Sequence, residues 1–134
     1  SKSNVISTLL PGTTFFLGSS NYVNGRKFID QGCEVALATD FNPGTCTIQS
    51  MSQIMFLAAM KCGLTIDECF KASTFNAARS LLVDGSVGII ERGYKADVIL
   101  WNVSELDEII YWFSQRNKIN SVLIDGKIVF KDQG

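Results

Sequence analysis

Apolar positions along the chain change period twice. The opening run "NVISTLLPG" is apolar and β-branched and stops at Pro11-Gly12, which predicts a strand running into a loop. "TTFFLGSSNYVNG" scatters aromatics among Gly, Ser and Asn and reads as a loop. "RKFIDQG" predicts a short helix or turn closed by Gly32. "CEVALATD" predicts a second strand, followed by the loop "FNPGTCT". Strand, short helix, strand is the rhythm of a parallel βαβ unit.

From about Ile48 the period becomes helical. "IQSMSQIMFLAAMKCG" places Met51, Ile54, Met55, Ala58 and Cys62 on one face, with Gly63 as the stop. Thr65 and Glu68 stand at capping-box spacing and predict the start of a second helix. "STFNAARSLLV" predicts a third, with Ser73 or Thr74 as N-cap. Its polar residues Asn76 and Arg79 suit a structural role, holding a helix end or the next loop.

After "DGSVG" the texture is β. "GIIERGYKADVILWNV" predicts a hairpin-like turn at Arg92-Gly93 and an alternating strand from Ala96 to Val103. "SELDEIIYWFSQRN" predicts a short amphipathic helix or an irregular segment. "INSVLIDGKIVF" predicts a hairpin with a type I′ turn at Asp125-Gly126, and Lys131 to Gly134 are expected to fray. Residues 1–86 and 87–134 thus form two regions, an α/β unit and a small antiparallel unit. Neither is complete, because parallel strands need covered faces and paired edges. A fragment of a larger fold is expected.

Composition narrows the classes. The chain has 134 residues, of which 46% are hydrophobic, enough for a core. Its 12 basic and 13 acidic residues are well mixed and give a net charge of −1, so neither nucleic acid nor an anionic membrane is expected as partner. The longest strongly apolar stretch, 54–60, is too short to span a bilayer. With no secretory pattern at the start, a cytoplasmic protein is expected. Cys33, Cys46, Cys62 and Cys69 form no CxxC pair, and the chain has no histidine to complete a mixed zinc site. Reduced, partly buried thiols are the expectation. Lacking histidine, hydrolytic chemistry here would need a carboxylate, or a histidine from elsewhere.

One carboxylate is well placed. "VALATDFNPGT" runs apolar residues into Asp40 and then into turn formers, as a buried strand does when it delivers an acid to a sheet end. The residues alone equally fit a plain turn begun by Asp40, since Asp, Asn, Pro and Gly all favour turns.

"LLPG", "GCEVALATDFNPGT", "TFNAARSL", "GIIERGYKADVILWN" and "VLIDGKIVF" together resemble the C-terminal part of the imidazolonepropionases, a family of metal-dependent amidohydrolases. The "GxIxxGxxAD" pattern at 88–97 is common to many amidohydrolases, whereas "TDFNPGT" is much narrower. The resemblance spans residues 5–130. It implies an α/β fold: the last two βα units of a TIM-type (β/α)8 barrel over 1–86, and the C-terminal part of a composite β domain over 87–134. The two predicted strands would be barrel strands seven and eight, with Asp40 at the C-terminal end of the last, where barrel enzymes collect catalytic groups.

The implied reaction is hydrolysis of the cyclic amide of 4-imidazolone-5-propanoate to N-formimidoyl-L-glutamate, in histidine degradation. By resemblance Asp40 is both metal ligand and general base and acid, the metal being Zn²⁺ or an Fe ion. Asn42, Gly44 and Thr45 would hold the substrate, Gly44 by close backbone approach. The family's HxH motif and remaining metal ligands find no match in this chain, so alone it is expected to be inactive. Two alternatives stand beside this reading. One is a non-catalytic, self-associating module, a homo-oligomer favoured by exposed strands and a helix face at Ile54-Phe56-Leu57. The other is a dihydroorotase- or guanine-deaminase-like amidohydrolase, which shares "GxxADV" but leaves "FNPGT" unexplained.

Overall fold

The computed structural model describes residues 5–115 and 118–133. Two strands, β1 (Ile6–Leu9) and β2 (Glu34–Leu37), pair in parallel with Ile6 opposite Glu34 and Leu9 opposite Leu37. Val35, Ala36 and Leu37 are all buried, which explains a strand read as a continuous apolar run. Between the strands lie two short helices, α1 (Pro11–Phe16) and α2 (Gly25–Asp30). The second was expected, and Gly32 closes it with φ of +77°.

The first corrects the sequence reading of "TTFFLGSSNYVNG" as loop throughout. Pro11 occupies the first turn, where its fixed φ suits a helix and its missing N–H costs nothing. Gly12 then lies so close to the core that a Cβ there would meet Ile54 Cδ1 at 2.6 Å. Tertiary packing, rather than local propensity, makes this helix.

Three helices cover the pair. In α3 (Met51–Cys62), Ile54, Met55, Leu57, Ala58 and Cys62 are buried, Ser50 caps the start, and Gly63 ends it in the left-handed region. Ile54 and Leu57, expected on an exposed face, are 0% and 5% exposed, so that stripe is core and offers no self-association surface. The capping box forms at α4 (Ile66–Ser73): Glu68 N donates to Thr65 Oγ1, and Thr65 N donates back to Glu68 Oε2. Arg26 of α2 grips the same Glu68 carboxylate with two N–H groups at 2.8 Å. That guanidinium contact and the Thr65 N–H hold the Glu68 carboxyl below its ordinary 4.5. Helix α5 (Phe75–Ser80) starts at Thr74, yet no side chain caps it. Ser73 and Thr74 turn their hydroxyls back onto the carbonyls of Cys69 and Phe70 instead.

Beyond α5 the chain builds a three-stranded antiparallel sheet, β3 (Val98–Trp101), β4 (Ile119–Ile124) and β5 (Lys127–Lys131), in that order. The Asp125-Gly126 turn has φ of +49° and +74°, the signs of the expected type I′ turn. Asp97 buttresses it by accepting Asp125 N at 2.7 Å, a physical reason for the acid in "GxxAD". Two expectations need correction. Arg92-Gly93 does form a turn, with Gly93 at φ +94°, but residues 88–92 form no strand. The strand expected over 96–103 is only Val98–Trp101, and its pairing with β4 shifts register between Leu100 and Trp101. Lys131, expected to fray, belongs to β5, and Asp132 N still bonds Asn120 O, while Gly134 lies outside the described residues.

Helix α6 (Asp107–Tyr111) ties the sheet to the helices. Its Ile109 and Ile110 are each 3% exposed in the common core, and Phe56 meets Phe113 with ring centroids 4.9 Å apart.

Candidate functional site

The C-terminal ends of β1 and β2 open onto one patch. Ala38 N bonds Leu9 O at 3.3 Å, carrying the pairing just past β2, and the chain leaves the sheet through Thr39 to Asp40. Asp40 is exposed and has φ of +50°, a conformation non-glycine residues seldom adopt. Two contacts hold it there. Thr13 Oγ1 on α1 donates to Asp40 Oδ2 at 2.8 Å, and Asn42 Nδ2 donates to the Asp40 carbonyl at 2.7 Å.

The loop that follows is organised around Asn42. Its Oδ1 accepts from Gly44 N at 2.9 Å, Thr45 N at 2.8 Å and Thr45 Oγ1 at 3.1 Å. Asn42 N also reaches Cys46 O at 2.8 Å, closing the loop as a small antiparallel bridge. The structure therefore brings Asp40, Asn42, Gly44 and Thr45 together, and most polar groups of the last three satisfy one another. Beneath them Cys46 is fully buried. Such a loop is stiff, and it presents the exposed Asp40 carboxylate on a rigid rim.

Helix α5 braces the strand behind this rim. Asn76 Nδ2 donates to Val35 O at 2.8 Å, and Arg79 pairs with Glu34 while lying 3.9 Å from Asp84. Both residues have the structural part expected of them, although they hold β2 as well as the next loop. Thr13 went unnoticed in the sequence. It lies 27 residues from its partner, inside a stretch read as loop, and no local signal marks it.

The residues present do not by themselves fit a metal ion. Among the described residues no group of three or more His, Cys, Asp or Glu is placed to hold one, whereas catalytic zinc takes about three protein ligands. Asp40 offers one carboxylate. The thiols are poor substitutes: burial raises Cys62 and pushes Cys69 up to about 12, so both stay protonated near neutral pH. All four cysteines are free, with Cys33 exposed and the others buried. A cavity of about 1100 Å³, lined by Met55, Phe70, Ala78, Val98 and Ile109, lies between the helices and the sheet and does not include the Asp40 loop. Among the described residues no helix is long and apolar enough to cross a membrane.

Comparison with known proteins joins this geometry to a family. The pattern of the Amidohydrolase family matches residues 6–129. The chain belongs to the amidohydrolase family. An imidazolonepropionase from Kosmotoga olearia is 46% identical over 132 residues, which cover 98% of this chain and 32% of that relative. The chain thus spans about a third of the length of the curated amidohydrolase relatives it matches. Among solved structures, E. coli guanine deaminase superposes with a TM-score of 0.77 at 22% identity, covering 98% of this chain and 35% of its own. An adenosine deaminase from Xanthomonas campestris with bound zinc gives 0.78 at 21%, covering 92% and 31%. At these identities the two deaminases establish the fold, a portion of the TIM-barrel type, and say nothing of substrate.

Proposed function

We propose that this chain is the C-terminal part of an imidazolonepropionase, which hydrolyses the cyclic amide of 4-imidazolone-5-propanoate to N-formimidoyl-L-glutamate. The observation that carries the reading is 46% identity to such an enzyme across nearly the whole chain. On this reading β1 and β2 are barrel strands seven and eight. Residues 1–86 close the barrel, and residues 87–134 contribute to the composite β domain.

Asp40 is the general base and acid. A ring amide is a poor electrophile with a poor leaving group, so water must be deprotonated as it attacks and the nitrogen protonated as it departs. The Asp40 carboxylate takes the proton from water and returns it to the ring nitrogen. It is also a metal ligand, the ion being zinc or iron and the remaining ligands lying elsewhere in the polypeptide. Asn42, Gly44 and Thr45 form the substrate side of the rim, with Asn42 setting the loop's shape. Such an enzyme would act on its small-molecule substrate in the cytoplasm.

The test compares a full-length polypeptide carrying this chain with the 134-residue chain alone. Turnover of imidazolonepropionate to formimidoylglutamate is expected in the first, lost on chelation and restored by zinc or iron. None is expected in the second. Turnover by the short chain, or none by the full-length protein in any metal, would sink the reading. A self-associating module is the second reading, favoured by β5, whose Ile128, Val129 and Phe130 are 48–61% exposed. Sedimentation of the short chain as a monomer would remove it.

A further inference from the structure

The helix that sequence periodicity missed carries a residue aimed at the candidate base. Thr13 lies in the first turn of α1 and donates its hydroxyl proton to Asp40 Oδ2 at 2.8 Å. Its neighbour Gly12 is wedged against the core: a Cβ there would stand 2.6 Å from Ile54 Cδ1 and 3.0 Å from Cys46 Sγ. Ile54 and Cys46 are each 0% exposed, so little room exists for α1 to shift relative to the loop that begins at Asp40. Across this fixed gap Thr13 meets a carboxylate whose backbone is held at φ +50°.

We infer that Thr13 is a positioning residue for Asp40. Its single O–H occupies Oδ2 and fixes the plane of the carboxylate. On this assignment the other oxygen, Oδ1, is the one that accepts the proton of an attacking water. Asn42 performs the complementary task on the same residue, holding its carbonyl at 2.7 Å. The carboxylate is thus oriented from α1 and its backbone from the loop. This reading rests on the hydrolytic role proposed above for Asp40.

The variants are made in a full-length polypeptide carrying this chain. Thr13→Val keeps the β-branched shape and removes the donor, while Thr13→Ser keeps the donor. Thr13→Val is expected to lower kcat by about 10- to 100-fold while KM changes less than about twofold, because the lost bond is one to a charged group. Thr13→Ser should restore most of the rate. An unchanged kcat in Thr13→Val, or equal losses in both variants, overturns the assignment.

A crystal structure of the Thr13→Val protein supplies a readout independent of turnover. A rotated Asp40 carboxylate supports the assignment, and an unmoved one overturns it whatever the rates. Should the unmutated polypeptide fail to hydrolyse imidazolonepropionate, the hydrolytic reading falls, and that crystal structure alone decides the role of Thr13.

Discussion

Residues 6–80 and 87–131 solve burial differently. In the first region β2 is buried at Val35, Ala36 and Leu37, and α3 places Ile54 and Ala58 at 0% exposure. In the second, all of β5 is exposed, and the buried apolar residues are Ile109 and Ile110 of α6, which lean on the first region's core. Burial in the first region sets the position of a rim of polar groups. The second region shows apolar strands that only further chain or a partner would cover. The difference teaches where substitutions should be felt.

The largest effect is expected at the rim. If Asp40 is the base proposed above, Asp40→Asn in a full-length polypeptide removes the proton acceptor without changing size and should lower kcat by about 10²- to 10⁴-fold. Steady-state assays check this, with circular dichroism showing that the fold is retained. A loss below tenfold would take the base role from Asp40 and leave the first region a scaffold only.

Next comes the core beneath the rim. Ile54→Ala should destabilise the protein by about 2–5 kcal/mol, since the side chain is fully buried and Gly12 packs against its tip. Arg79→Met should cost about 1 kcal/mol, because it frees Glu34 at the start of β2 in a half-exposed site. Urea titrations measure both. If Arg79→Met cost as much as Ile54→Ala, ionic bracing rather than packing would hold the strand behind Asp40.

Much of this architecture was legible because local rules carried it. The Thr65/Glu68 box sets its backbone through its own side chains, and Gly63 and Gly126 accept positive φ because they lack a Cβ. The run from Val35 predicted the buried strand, while the residues alone fitted a plain turn at Asp40 equally well. What escaped depends on contacts between distant residues. Helix α1 exists because Pro11 starts it and Ile54 receives Gly12, and the aromatics and threonines within it argue for neither. Thr13–Asp40 and Arg79–Glu34 join residues 27 and 45 apart, on which one-dimensional periodicity is silent. The hairpin expected at Arg92-Gly93 failed for a similar reason. Gly93 makes the turn, but Lys95 N goes to Ser86 O, so the backbone is satisfied without a ladder.

A smaller effect follows from charge. Glu68 has its carboxyl held below its ordinary 4.5, first by Arg26 and then by the Thr65 N–H, against the opposing cost of burial. A depressed folded-state value means the unfolded chain binds its proton first. The contribution is therefore fully present above about pH 4.5 and is lost as pH falls through the folded value. Glu68→Gln should flatten the acid limb of the stability curve while leaving its shape above pH 6 unchanged. A parallel offset at every pH would show that packing, not protonation, couples α2 to α4.

The smallest effect is expected on the outer sheet, and it sharpens the comparison most. Ile128 is 61% exposed on β5, so Ile128→Ser should change the stability of the 134-residue chain by less than about 0.5 kcal/mol. In a full-length polypeptide the same substitution should cost about 1–3 kcal/mol if further chain buries that strand, because a polar group would then replace a packed methyl branch. Denaturant titration of both forms separates the cases. Equal small costs in the two would mean that β5 faces solvent in the complete protein as well. The second region would then be finished as it stands, and only the first would call for the rest of the barrel.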